Sequence, residues 1–336
     1  MKNFALIGCG AIAQMHATAI QGLEKGVLYG VFDTRKESAE HFAQKHGCKV
    51  FSTVEEMLAC KDVDVVNICT PSGLHAKLAI QAAEAGKHII VEKPLAITRQ
   101  QLDDLVAAVE KHHTKVEVIT QLRFAPSIQK AKKAIEDGRL GKILLADFVG
   151  KFYRSDEYYA QGGWRGTWAM DGGGALMNQG VHGVDLIQYL MGGVKSVQAL
   201  CRTQVKKIET EDTAYLLVEY ENGAVGMIHS TTVVAPGYPR TITISGTKGT
   251  IKLEEDTIIL WDVKGEEEEL GKTESKAGSE PMAFSHAFHQ MQFADLIEAI
   301  EEDRTPLVDV YEGKKPVDII LAAYESSKLG KRIELK

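Results

Sequence analysis

No apolar run in this 336-residue sequence approaches the ~20 residues of a membrane-spanning helix. The first apolar run starts by about residue 3, which leaves no room for a secretory leader. A cytoplasmic protein with no membrane partner is expected. Cysteine is scarce: Cys9, Cys48, Cys60, Cys69 and Cys201 are scattered without a CxxC pair, so they read as small apolar residues, with neither a disulfide nor a metal site expected. Basic excess is missing too. The formal net charge of -7 argues against nucleic acid or an anionic membrane as the main partner, and leaves an anionic substrate to a local basic pocket. Neither an internal repeat nor a low-complexity linker breaks the chain. What is there, 44% hydrophobic and 25% charged residues, is the composition of an ordinary globular protein. Its length exceeds what one core normally serves, so two closely joined domains are expected.

The first apolar run, 4–7, breaks into Gly8-x-Gly10-x-x-Ala13 and continues in a helical pattern. Gly8 permits a tight turn out of a strand, Gly10 lets backbone approach a pyrophosphate, and Ala13 lets the helix pack closely. The phosphates then lie over Gly10, Ala11 and Ile12 at the helix N-terminus. Asp33 closes the next apolar run, about 20 residues on, where a carboxylate accepts both ribose hydroxyls of NAD. Its charge opposes a 2'-phosphate, while Arg35 softens that preference and leaves NADP possible.

Up to about residue 120, short apolar runs (3–8, 27–33, 64–69, 88–91, 116–119) alternate with helical segments (11–23, 35–46, 54–59, 73–85, 98–112). This is the pattern of an α/β doubly wound parallel sheet, whose ligands sit at the carboxyl ends of the strands. Thr98 is expected to cap the last helix, and Gly86 to stop the one before it. Two strand ends carry polar chemistry: Thr70-Pro71-Ser72-Gly73-Leu74-His75 and Glu92-Lys93-Pro94. His75 either contacts the nicotinamide side or caps its helix. Glu92 and Lys93 are either chemistry at the cofactor cleft or a surface ion pair before a helix.

Beyond about 120 the rhythm changes. A helix (125–137) and a strand (142–152) lead into an aromatic and charged loop, 153–171, containing Tyr158, Tyr159, Trp164, Arg165 and Trp168. A helix through about 190 follows. Strand-forming runs at 196–204, 212–220, 224–233, 240–246, 249–253 and 257–262, with no helices between them, predict a largely antiparallel sheet. A solvated loop is expected at 264–280, then helices at 283–302 and 310–329. The expected domains are 1–121 and 122–336.

In the helix after Gly172-Gly-Gly174, Asn178 and His182 are four apart and share a face, with Asp185 one turn further on. Nearby glycines leave room for a ligand. Histidine titrates near neutrality, which suits a base that removes a hydroxyl proton; a satisfied structural histidine is the other reading.

Taken in order, Gly-x-Gly-x-x-Ala, Thr-Pro-x-x-x-His (70–75), Glu-Lys-Pro (92–94), the Gly-Gly-Gly to His182-x-x-Asp185 helix and the last two helices resemble the Gfo/Idh/MocA oxidoreductase family over nearly the whole chain. The resemblance implies an N-terminal Rossmann domain and a C-terminal α+β domain with a large, mainly antiparallel open sheet. It also implies NAD- or NADP-dependent oxidation of a sugar or cyclitol hydroxyl in a homodimer or homotetramer built on that sheet. By position, Lys93 hydrogen-bonds the reacting oxygen and His182 is the acid/base, with substrate contacts from Asn178 and Asp185. Cofactor contacts come from Gly8, Gly10, Ala11, Ile12, Asp33, Arg35, Thr70, Pro71, His75, Glu92, Lys93 and Gln121. Asn178 stands where inositol dehydrogenases carry aspartate, so no Asp-His relay is expected.

The segments 164–168, 177–179, 208–212 and 242–249 are similar to enzymes oxidising the 3-hydroxyl of UDP-N-acetylglucosaminuronic acid. In that reading Arg165, with Arg123 or Arg154, faces anionic groups of a sugar nucleotide, and Trp164 and Trp168 stack on sugar or pack structurally. The alternatives are an inositol or free-sugar dehydrogenase and a regulator that binds dinucleotide without turnover.

Overall fold

The computed structural model describes residues 1–266, 270–271, 278–279 and 286–335. The chain divides into two compact units: Met1–Gln121 with Ser285–Lys314, and Leu122–Phe284 with Lys315–Lys336. No described helix is long and apolar enough to cross a membrane.

The first unit alternates strands and helices: β1 (Lys2–Ile7), α1 (Ala11–Gln21), β2 (Gly26–Phe32), α2 (Lys36–His46), β3 (Lys49–Val50), α3 (Val54–Ala59), β4 (Val65–Ile68), α4 (His75–Glu84), β5 (His88–Val91), α5 (Arg99–His112) and β6 (Val116–Val118). They form one parallel sheet in the order β3-β2-β1-β4-β5-β6. Every residue of β4 is buried, as expected where helices cover both faces. The order reverses between β1 and β4, so the turns after these two strands flank the crevice at their carboxyl ends. Thr98 caps α5 by accepting the Gln101 N–H at 3.2 Å, and Gly86, at φ +70, follows α4. The two-residue β3 is additional to the expected strands.

The second unit contains α6 (Pro126–Glu136), β7 (Ile143–Lys151), α7 (Asp156–Ala160), a π-helical turn (Ala175–Gly180), α8 (Val181–Met191), β8 (Val194–Arg202), β9 (Thr213–Tyr220), β10 (Val225–Thr231), β11 (Thr241–Gly246), β12 (Gly249–Glu254) and β13 (Thr257–Val263). After α9 (Ala287–Glu301) and α10 (Val310–Leu329), β14 (Ile333–Glu334) completes an eight-stranded sheet in the order β13-β12-β11-β7-β10-β9-β8-β14. All its pairings are antiparallel except β7 with β10. Alternation in β9 buries Ala214, Leu216 and Val218 and exposes Tyr215 and Leu217 on the opposite face.

Two expectations are corrected. Helix α9, assigned by sequence to the second domain, packs with the first unit: Phe293, Leu296 and Ile297 join Phe4, Leu6, Ala17 and Ile20 in one buried cluster. Burying each such side chain contributes about 1.5–3 kcal/mol, which outweighs the absence of any sequence proximity. Gly278, expected in a solvated loop, is buried, and its carbonyl accepts the Tyr153 N–H at 2.9 Å. Residues 267–269, 272–277 and 280 of that loop, and 283–285 of the following helix, lie outside the described residues.

Candidate active site

In the first unit, Gly8 has φ +98, and a Cβ there would lie 2.6 Å from the Cys69 carbonyl, so the turn requires glycine. Nothing lies within 4 Å of where a Cβ on Gly10 would stand, which leaves open space over the N-terminus of α1. No side chain caps that helix, so its first amides point into this space. Ala11 is exposed, Ile12 half-buried and Ala13 buried. Asp33 accepts the Cys9 N–H at 2.9 Å on Oδ2 and the Arg35 N–H at 2.8 Å on Oδ1. The carboxylate thus ties the glycine turn to the end of β2, and its remaining lone pairs are available to a diol. Arg35 Nε stands 3.6 Å from Asp33, with the side chain largely in solvent. Burial, and then the charge of Asp33, push the Cys9 thiol up to about 12, so Cys9 is an inert lining residue.

Thr70 and Pro71 stand half-buried after β4, and Lys93 half-buried after β5. Two neighbours expected to touch cofactor have other work. His75 is 1% exposed; its Nδ1 lies 2.7 Å from the Pro94 carbonyl and its Nε2 2.8 Å from that of Thr70. Burial lowers its pKa against the pull of these carbonyls. A neutral ring carries one N–H and donates to one of these two carbonyls at a time, so His75 is held buried between the two loops. Glu92 is also buried, with Oε1 3.0 Å from His16 Nε2, and so is not a surface ion pair. Gln121 is buried and its Oε1 has no hydrogen-bond partner. Such an orphaned acceptor, the open N-terminus of α1 and the acceptor at the end of β2 suit a dinucleotide with an amide-bearing ring.

In the second unit the helix starts with a π turn, a form common at functional sites, which shifts the expected four-residue spacing of Asn178 and His182. Asn178 Nδ2 donates to Asp171 Oδ1 at 2.6 Å. The carboxylate missing from position 178 is thus supplied to the same turn by Asp171, which is 1% exposed and which motif reading overlooked. Glu211 lies in the 208–212 segment, where the sequence assigns it no role of its own. It accepts the Gly174 N–H at 3.0 Å, the Leu176 N–H at 2.8 Å and the Tyr324 hydroxyl at 2.9 Å, and so caps the turn. Burial pushes its carboxyl up to about 7 against these donors.

His182 is half-buried at the first turn of α8. The glycine beside it does not make room for a ligand: a Cβ on Gly183 would stand 2.1 Å from the Phe148 ring, so Gly183 lets α8 lie directly on the sheet. Asp185 and Arg123, expected at substrate, pair with each other instead, at 2.6 and 2.9 Å, each side chain 1% exposed.

The loop after β7 gathers the remaining cations. Arg165 lies over Tyr158 at 4.5 Å and Trp164 at 5.0 Å, while buried Arg154 approaches Tyr158 at 5.8 Å. Arg154 also donates to Gln179 Oε1 at 3.1 and 2.6 Å, and Gln179 Nε2 donates to the Tyr158 hydroxyl at 2.9 Å. Trp168 is exposed and meets Tyr324 edge-on at 5.3 Å.

Both halves of the chain resemble known proteins. Residues 2–120 match the family described as an oxidoreductase family with an NAD-binding Rossmann fold, and residues 128–252 match the GFO/IDH/MocA C-terminal domain. Among solved structures, the WlbA dehydrogenase from Bordetella pertussis, in complex with NADH and UDP-GlcNAcA, superposes with a TM-score of 0.90 at 33% identity over 100% of this chain and 99% of that one. The levoglucosan dehydrogenase of Pseudarthrobacter phenanthrenivorans is 30% identical over 74% of this chain and 72% of its own. The myo-inositol 2-dehydrogenase of Thermotoga maritima is 26% identical over 79% of each.

Proposed function

The chain belongs to the Gfo/Idh/MocA oxidoreductase family and binds NAD, and from that premise we propose that it oxidises a secondary hydroxyl of an anionic sugar nucleotide, the 3-hydroxyl of UDP-GlcNAcA or a close analogue. The observation that carries this reading is the full-length similarity to the WlbA dehydrogenase together with the guanidinium and aromatic loop after β7. Arg165, with Arg154 behind Tyr158, offers the charge that a carboxylate or diphosphate needs.

In the proposed reaction His182 accepts the hydroxyl proton, Lys93 hydrogen-bonds the oxygen as it becomes an alkoxide, and Asn178, held by Asp171, orients the sugar. The nicotinamide ring, when bound, supplies the acceptor for the two electrons and hydrogen leaving the carbon. Asp33 favours NAD over NADP because its carboxylate repels a 2'-phosphate. We further propose a homodimer or homotetramer formed through the open sheet face, where Leu200, Tyr215, Leu217 and Val225 are 45–66% exposed. The five unpaired cysteines suit a reducing compartment such as the cytoplasm.

Absorbance at 340 nm, recorded with NAD and a panel of UDP-sugars, free sugars and cyclitols, tests the assignment. Turnover with UDP-GlcNAcA that is absent in Lys93→Ala is expected. Turnover with a free sugar or inositol alone would favour the second reading, which the levoglucosan dehydrogenase similarity supports. No turnover above the Lys93→Ala control with any compound would favour a dinucleotide-binding regulator.

A further inference from the structure

Buried side chains contact the main chain at Lys93 itself and at the next residue, Pro94. On the amino side of Lys93, its own N–H donates to Glu92 Oε2 at 3.2 Å, and the other oxygen, Oε1, lies 3.0 Å from His16 Nε2. On its carboxyl side, the Pro94 carbonyl lies 2.7 Å from His75 Nδ1. Glu92, His16 and His75 are 5%, 0% and 1% exposed, whereas Lys93 is half-buried. Each of the three acts on Lys93 through the backbone or through the field.

The chemistry of the buried side is consistent with a brace. Asn67 Nδ2 lies 3.1 Å from His16 Nδ1, with Cys69 Sγ at 3.4 Å. An amide nitrogen only donates, so in this arrangement Nδ1 accepts, the ring proton sits on Nε2, and His16 donates to Glu92. Burial pushes the Glu92 carboxyl upward, but the hydrogen bond from His16 and the positive charge of Lys93 outweigh it and hold it below the ordinary carboxylate range. Glu92 is thus an anion throughout the working range. His16, Glu92 and His289 bring ligand-type atoms within 4.8 Å of one another. The His16 contact to Glu92, at 3.0 Å, has the length of an ordinary hydrogen bond.

We infer that the His16–Glu92 pair and His75 form a clamp on the main chain at Lys93 and Pro94, fixing the direction in which the Lys93 side chain leaves the turn. Glu92 and His75 are then positioning residues. The inference rests on the catalytic reading of Lys93. Its expected size follows from geometry: displacing a reacting group by about 1 Å costs on the order of 100-fold in rate.

Glu92→Gln keeps the side-chain shape, but its amide nitrogen cannot accept, so one of the two bonds is lost. The test compares Glu92→Gln, His75→Gln and Lys93→Ala, and the doubles of the first two with Lys93→Ala, using UDP-GlcNAcA as the probe. Each positioning variant is expected to lose about 10- to 100-fold in kcat, with the Kd for NADH near the parent value, and to add no further loss in the Lys93→Ala background. Losses that multiply in the doubles, or a Kd for NADH that rises in step with the fall in kcat, overturn the clamp.

A second readout needs no turnover. In 1H–13C spectra of the reductively 13C-methylated protein, the Lys93 resonance, assigned by its absence in Lys93→Arg, is expected to move in both Glu92→Gln and His75→Gln. A resonance unmoved in both overturns the inference even if the probe is not a substrate. Lys93→Ala turning over at the parent rate refutes the catalytic reading instead, and the spectra then decide the clamp alone.

Discussion

Replacing Arg123 separates a structural arginine from a substrate-binding one. Its guanidinium meets Asp185 at 2.6 and 2.9 Å, both side chains are 1% exposed, and it lies 4.5 Å above the Tyr189 ring. Arg123→Met therefore leaves a carboxylate in a nearly dry site. Breaking such a pair costs about 3–5 kcal/mol, chiefly because the surviving charge is uncompensated. For a unit of this size, about 2–4 °C per kcal/mol translates that into a fall of roughly 6–20 °C in Tm. The double variant Arg123→Met with Asp185→Leu removes both charges and is expected to recover most of the loss, since apolar replacement of a buried pair is about neutral or stabilising. Thermal unfolding followed by circular dichroism gives the Tm values, and initial rates at a temperature where all forms are folded give KM. The structural account requires a large Tm loss in the single variant, recovery in the double and an unchanged KM. A single variant that melts with the parent and shows a raised KM would refute the reasoning and return Arg123 to the substrate.

Other perturbations address the remaining parts of the site. Gly10→Ala has room for its methyl group, so its Tm should match the parent while NADH affinity, read by fluorescence titration, drops at least about tenfold; equal affinity would remove the phosphates from the N-terminus of α1. Asp33→Ala should move the NAD/NADP ratio of kcat/KM toward NADP, and an unchanged ratio would contradict the assigned role of its carboxylate. Gly183→Ala would drive a methyl group into the Phe148 ring and should cost at least about 1–3 kcal/mol in urea unfolding; a neutral result would deny the close packing of α8 on the sheet. Because burial raises Glu211 to about 7 in the folded state, the native form binds the extra proton between the ordinary carboxylate range and that value. Its stabilising contribution is therefore complete at low pH and fades as pH rises to about 7. Glu211→Gln should flatten that part of the urea-unfolding profile, and an identical slope in both proteins would contradict the raised pKa.

The fold was legible where chemistry repeats at fixed spacing. Short apolar strands separated by helical segments read directly as a parallel sheet, and the succession of strand-forming runs from 196 to 262 without helices between them read as a largely antiparallel one. The two-residue β3 carries too little pattern to be recognised. The π turn at Ala175–Gly180 uses the same residue types as an α-helix, and its wider winding follows from tertiary partners such as Glu211, far off in sequence. Asp171 was hidden for a related reason: it lies outside the helix motif and meets Asn178 only through the folded loop. His75, Arg123 and Asp185 look in sequence like ligand-facing groups, because a polar side chain beside a motif does not reveal its burial. Only their partners do.

The return of α9 to the first unit also sets an order of events during synthesis. The buried cluster of that unit is complete only when Phe293, Leu296 and Ile297 have been made, long after Gln121. At about 5–20 residues per second, the ribosome takes roughly 9–36 s to travel from residue 121 to residue 301. Throughout that interval the nascent NAD-binding unit has an apolar flank waiting for its last helix, while the second unit is emerging between the two halves. A protein cut after residue 121 keeps all six parallel strands and still lacks a wall of its own core.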